Sequence, residues 1–231
     1  HLLSDLVLQN MQWKAFTLES LRAGEIPLWN PHQFGGIPFL AAGQQSALYP
    51  YSALYYTLPL SAAYGWFTVL QLGLAGVFMY AYLRAGLGLG KAGSAVGGVV
   101  FQLSQFFVIS AVFPMIIASA LWLPLILLMA EWIVAGRPLL GKPARAPWVV
   151  IGAAALGMNV LAGHIEITYY TLLIAGAYSA ARLIYAAIPL WRERTAGVWG
   201  ALKPLAVTAG LARGVGGPGG GVGGGSAVSV F

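Results

Sequence analysis

The chain has 231 residues, 59% of them hydrophobic and only 8% charged, with a mean hydropathy of +0.78. So little polar surface excludes a water-soluble globular domain and indicates a polytopic, all-α membrane protein. The formal charge of +6 sits in short Lys and Arg clusters between apolar runs, which speaks for membrane topology and against a nucleic-acid partner, and with no cysteine there is no thiol chemistry or disulfide framework.

Residues 1–63 form the first region. Leu8, Met11, Ala15 and Leu18 recur at helical spacing, with Gln9, Gln12, Lys14 and Glu19 elsewhere on the wheel, so the first 23 residues read as an amphipathic helix lying on the membrane. Ser4 serves as its N-cap, Gly24 as its C-terminal stop, and Asp5 sits in the first turn, where the helix dipole favours a carboxylate. Lys14 and Arg22 read as contacts to lipid headgroups or to a phosphate. From Gly24 to Pro50 the chain is dense in Pro, Gly and side-chain amides, with Pro27-Leu28-Trp29-Asn30-Pro31, Phe34-Gly35-Gly36-Ile37-Pro38, Gln44-Gln45 and Tyr49-Pro50. Such a segment makes turns and reads as an ordered loop. Trp29, Asn30, His32, Gln33, Gln44 and Gln45 offer the aromatic face and amides that suit a sugar, and equally the groups that satisfy the backbone of a re-entrant loop. Tyr49, Tyr51, Tyr55 and Tyr56 read as an interfacial aromatic belt.

Residues 64–213 read as a transmembrane bundle. Apolar spans are expected over Tyr64 to Leu83, Ala92 to Val112, Met115 to Val134, Trp148 to Ala162 and Ile167 to Pro189, with a sixth beginning near Ala201. Arg84 and Lys91, then Arg137, Lys142 and Arg145, then Arg182, Arg192, Arg194 and Lys203 mark alternate connections as cytoplasmic. The connections at Phe113-Pro114 and Gly163-His164 lack Lys and Arg, which places them, and residues 1–63, on the outer face. Gly73, Gly76, Gly97 and Gly98 allow close helix packing, and Gly86 to Lys91 lacks the spacing of a phosphate loop. His164 and Glu166 lie in a tight outer turn and read as a substrate-orienting pair or, joined by Asp5, as ligands of a divalent cation. Both termini read as those of a fragment, and the Gly-rich stretch 214–231 as a flexible tail or an artefact.

Asp5 with its amphipathic stretch, the Pro27 to Pro31 loop, Gly35-Gly36-Ile37-Pro38, Gln44-Gln45, Tyr49-Pro50 and Gly163-His164 together resemble the YfhO-like family of bacterial multi-spanning membrane proteins, grouped with the GT-C glycosyltransferases. The resemblance implies a GT-C-like bundle in the bacterial cytoplasmic membrane that moves a sugar from a polyprenyl-phosphate-linked donor to an outer-face cell-envelope acceptor. It makes Asp5 the catalytic base, and the residue chemistry read above then sets Trp29, Asn30, His32, Gln44, Gln45, His164 and Glu166 around the substrate. The chemistry itself asks for a carboxylate to take the acceptor proton and a cationic or hydrogen-bonding site for the leaving phosphate. A transporter or flippase for lipid-linked glycans, or a scaffold subunit, are the alternatives; the spans hold few ionisable residues for a translocation path.

Overall fold

The computed structural model describes residues 6–142 and 144–213, with side chains from 8 to 142 and from 144 to 189. Asp5, Ser4 and the Gly-rich segment 214–231 lie outside the described residues. The chain divides into His1–Leu183 and Ile184–Phe231, and everything below concerns the first unit except the backbone of the last helix.

A π-helical turn, Leu6–Asn10, leads into α1, Met11–Arg22. This helix stops at Gly24 as its sequence suggests: Gly24 takes φ +78°, and the N–H groups of Gly24 and Glu25 close on the carbonyls of Leu21 and Ser20. The loop that follows folds into a small antiparallel hairpin, β1 (Trp29–Asn30) with β2 (Ile37–Pro38), pairing Trp29 with Pro38 and Asn30 with Ile37. At its tip the Gly36 N–H reaches the Gln33 carbonyl at 2.7 Å, while Phe34 and Gly35 both adopt positive φ. Gly36 is required because a Cβ there would lie 2.5 Å from the Trp29 ring. Short helices α2 (Phe39–Ala42) and α3 (Ala53–Thr57) carry the chain to the bundle.

Four helices of the described residues are long and apolar enough to cross a membrane: Leu60–Gly86, Lys91–Ser110, Pro114–Val134 and Ile165–Pro189. The first is α4 (Leu60–Ala81) continued by a π turn. The second breaks at Leu103-Ser104 into α5 (Lys91–Gln102) and α6 (Gln105–Ser110). The third breaks at Leu121-Trp122 into α7 (Pro114–Ala120) and α8 (Leu123–Val134), where Pro124 has no N–H to continue the ladder. The predicted span at Trp148 to Ala162 forms the shorter apolar helix α9, Ala146–Leu161. The final helix, α10, runs unbroken from Ile165 to Arg213, so the connection expected between Pro189 and Ala201 is absent from the backbone. Arg and Glu are good helix formers, so Arg192, Glu193 and Arg194 do not end the helix.

Close packing and a few polar ties hold the bundle. α4 and α5 approach until a Cβ on Gly98 would sit 2.8 Å from the Gly76 carbonyl oxygen, the small-residue contact that the glycine spacing suggested. Glu131 on α8 is buried and accepts Arg182 Nε at 2.5 Å and Nη2 at 2.8 Å, and it also accepts the Tyr178 hydroxyl, which ties α8 to α10. Buried Asn159 on α9 donates to the Ser119 carbonyl at 2.7 Å, tying α9 to α7.

The expected tyrosine belt divides differently. Tyr49 and Tyr55 are 1% exposed and belong to the core: the Tyr49 hydroxyl donates to Gln71 Oε1 at 2.9 Å and accepts Trp122 Nε1 at 3.2 Å, and the Tyr55 ring packs on Phe67. Tyr51 and Tyr56 are half-buried against that core. The loop meets the α9–α10 turn directly: Ser46 Oγ donates to the Ala162 carbonyl at 2.6 Å, and Gly163, at φ +90°, lies against the Gly43 backbone. A Cβ on Gly163 would collide with the Gly43 carbonyl oxygen and force a left-handed backbone on an L side chain. Gly163→Ala therefore lowers unfolding stability by about 2 kcal/mol or more, measured by denaturant titration in detergent micelles, whereas Gly157→Ala, with open space around it, leaves stability nearly unchanged.

Candidate functional site

The amphipathic helix α1 turns one face of its wheel onto the loop. Ala15, and Leu8 in the turn before the helix, are exposed, as an interfacial stripe would be, but the face carrying Trp13, Lys14 and Thr17 is buried against the loop. Helical spacing identifies a stripe without saying what covers the other side of the wheel. Lys14 is 3% exposed, which corrects its reading as a headgroup contact. Its ammonium donates to the Gln45 carbonyl and to Ser52 Oγ at 3.3 Å, and lies 4.6 Å from the Tyr55 ring centroid. No carboxylate stands among these partners, and burial pulls the amine down to about 7 from 10.5.

Beside this clamp, α1 and the hairpin tip enclose a cavity of about 360 Å³ lined by Leu8, Gln12, Trp13, Ala15, Phe16, Glu19, Asn30, His32 and Gln33. Trp13 Nε1 donates to Gln33 Oε1 at 3.0 Å, fixing the loop to the helix. The Asn30 side chain accepts the His32 N–H at 2.9 Å, an Asx turn that sets the loop's path after Pro31. The His32 ring stands edge-on to Phe16, at 5.9 Å between centroids, and Phe16 in turn packs edge-on to Phe39 at 5.0 Å. The cavity thus combines aromatic faces with three amides, one carboxylate and one imidazole. That set can hold a polyhydroxylated ring and exchange protons with it.

The sequence-predicted residues fall into separate places. Asn30 and His32 line the cavity, and Trp29, half-exposed, braces the hairpin behind them by covering Gly36. Gln44 is exposed on the loop. Gln45 is buried and donates to the carbonyls of Phe39 at 2.8 Å and Leu40 at 3.4 Å, so its amide satisfies loop backbone. His164 caps α10, its Nδ1 accepting the Ile167 N–H at 3.3 Å, and Glu166 is exposed in the first turn of that helix. Among the described residues no three His or carboxylate side chains gather into a metal site; the cation reading of His164 and Glu166 requires Asp5, which lies outside them.

Glu19, Gln12, Phe16 and Trp13 were not read as site residues. Gln12, Phe16 and Glu19 stand at i, i+4 and i+7 on α1, a spacing that marks one face of the helix, and only the fold turns that face toward His32. Compared with family models, curated proteins and solved structures, the chain matches none.

The buried amine carries a pH signature. An unfolded lysine keeps its proton up to about 10.5, whereas folded Lys14 releases it near 7, so between these values the unfolded state binds more protons and stability rises with pH. Lys14→Met removes that rise, flattening the pH 7–10 stability profile by up to about 1.4 kcal/mol per pH unit. Denaturant titrations in micelles across this range check it; equal slopes in both proteins refute the assignment.

Proposed function

We propose that this protein is a membrane glycosyltransferase that moves a sugar from a polyprenyl-phosphate donor to a cell-envelope acceptor at the outer face of the bacterial cytoplasmic membrane. The observation that carries the reading is the cavity between α1 and the hairpin tip, where Gln12, Glu19, His32 and Gln33 surround a space bounded by Trp13 and Phe16. Its volume suits one hexose ring, and its walls supply an apolar surface with hydrogen-bonding groups around it.

In the proposed reaction the acceptor hydroxyl attacks the anomeric carbon, the bond from that carbon to the phosphate oxygen breaks, and the lipid phosphate leaves with the bonding electrons. The acceptor proton passes to a carboxylate. Asp5 takes that role by the family resemblance, and Glu19 and the loop amides hold the sugar hydroxyls. A GT-C-like arrangement of the bundle belongs to this proposal. It is supported by four apolar helices and by an ordered loop seated against the α9–α10 turn, a connection that lacks Lys and Arg.

Transfer of radiolabelled sugar from polyprenyl-phosphate donors, measured in membranes containing the protein, tests the reading. Asp5→Asn lowers turnover by about 100-fold or more; Glu19→Gln and His32→Ala each cost roughly tenfold in kcat/KM; and Ala15→Trp, which fills the cavity from an exposed position, abolishes transfer at unchanged expression. Normal transfer by Asp5→Asn or Ala15→Trp sinks the proposal.

A further inference from the structure

The connection between α8 and α9 ends in a second tight hairpin, at the opposite end of the bundle from the cavity. Leu139 and Lys142 exchange both backbone hydrogen bonds at 3.0 Å, leaving Leu140 and Gly141 as a two-residue turn with φ of +49° and +77°. Two positive φ values in a two-residue loop are the pattern of a type I′ turn, whose first position favours Asn, Asp or Gly. A leucine there is held in a strained conformation, and its side chain is 94% exposed, with neighbouring Leu139 37% exposed.

Three cations flank this apolar tip in the sequence. Arg137, Lys142 and Arg145 are all exposed, and residues 135–146 contain no acid. The base of the hairpin is rigidly attached: Arg137 donates to the Ala85 carbonyl at 2.8 Å and lies 4.3 Å from the Trp132 ring centroid, while Trp148 Nε1 donates to the Arg137 carbonyl at 2.8 Å. The tip is therefore displayed from a fixed platform. Helix length sets its depth. α9 has 16 residues, about 24 Å of helix against the roughly 30 Å of a hydrocarbon core, so its ends are drawn toward the hydrocarbon. Its far end is covered by the loop through Ser46, and its near end follows directly on this hairpin.

We propose that the Leu139-Leu140 tip is a membrane-surface anchor that inserts into the headgroup boundary of an anionic bilayer, with Lys142 and Arg145 against the lipid phosphates. Inserted leucines gain an apolar environment for side chains that water leaves bare, and the flanking cations select negatively charged lipid. The anchor holds the α8–α9 connection at a fixed depth, and it does not depend on the glycosyltransferase reading.

The chain contains no cysteine, so Leu140→Cys provides a single labelling site. The full chain, labelled there with an environment-sensitive fluorophore, is reconstituted into vesicles of phosphatidylcholine alone or mixed with phosphatidylglycerol. Label at exposed Glu25→Cys is the aqueous reference. The expected result is blue-shifted emission at position 140, quenched by lipids spin-labelled near the headgroup and protected from acrylamide, with greater protection in the anionic vesicles. Adding Lys142→Glu and Arg145→Glu removes the difference between the two lipids. A label as open to acrylamide as the reference overturns the proposal. So does protection indifferent to lipid charge, or a disulfide-linked dimer of unlabelled Leu140→Cys, which would assign the tip to a second copy of the chain.

Discussion

Lys14 is the contact on which the loop end of the molecule depends. Helix α1 has no hydrophobic face buried in the bundle core; it is held by an ammonium that reaches the Gln45 carbonyl and Ser52, and by Trp13 bonded to Gln33. Ser52 hands the connection on through its hydroxyl to the Ser46 carbonyl, and Ser46 passes it to Ala162 at the top of α9. Helix, loop and bundle are thus joined through a chain of buried polar groups, each satisfied by the next. In such a chain the loss of one member leaves a neighbour desolvated without a partner, which costs more than the bond itself contributes.

The bundle follows a different logic. Lipid tails are as apolar as leucine, so burial alone does little to bring membrane helices together, and contacts between small residues and interhelical hydrogen bonds take over. Gly76 against Gly98 is a contact of the first kind, and Asn159 with Ser119 is one of the second. Glu131 with Arg182 and Tyr178 goes further. A carboxylate that would be costly in hydrocarbon is neutralised by a two-pronged guanidinium and a phenol, so the pair fixes the register of α8 on α10. Removing Arg182 would leave the buried Glu131 carboxylate with only the Tyr178 hydroxyl against it, which makes the pair a register device more than a net source of stability.

How much of this was legible depends on the range of the interaction. Apolar spans are local in sequence, so α4, the helix beginning at Lys91, the one beginning at Pro114 and the start of α10 could be read directly. Gly24 could be read as a stop because a helix terminus is a local event. The hairpin of Trp29 and Pro38 was hidden by its two-residue strands, too short to show an alternating pattern. The destination of Lys14 was hidden because a helical wheel does not reveal a carbonyl 31 residues away. Arg182 reads in the sequence as one of the charges that mark a cytoplasmic connection, but its pairing with Glu131 across 51 residues belongs to the fold. Asn30 and His32 were singled out for their chemistry and do line the cavity, whereas Gln45, of the same chemistry, is consumed by the loop. Composition selects residue types, and burial decides their use.

The position of the cavity follows from these constraints. A site with a carboxylate, an imidazole and several amides placed among the spans would need every group paired against hydrocarbon, as Glu131 is. Building it between an amphipathic helix and a proline-rich hairpin removes that requirement, since both elements sit at an end of the bundle. Glu19 and His32 lie on the exposed side of α1 and of the loop, opposite the buried Lys14 face. The same helix therefore turns its buried amine inward and Glu19 outward. Because Trp13 and Lys14 are adjacent in sequence, any shift of α1 on its clamp moves the cavity wall with it. The geometry around Glu19 is then set by a buried lysine that does not line the cavity.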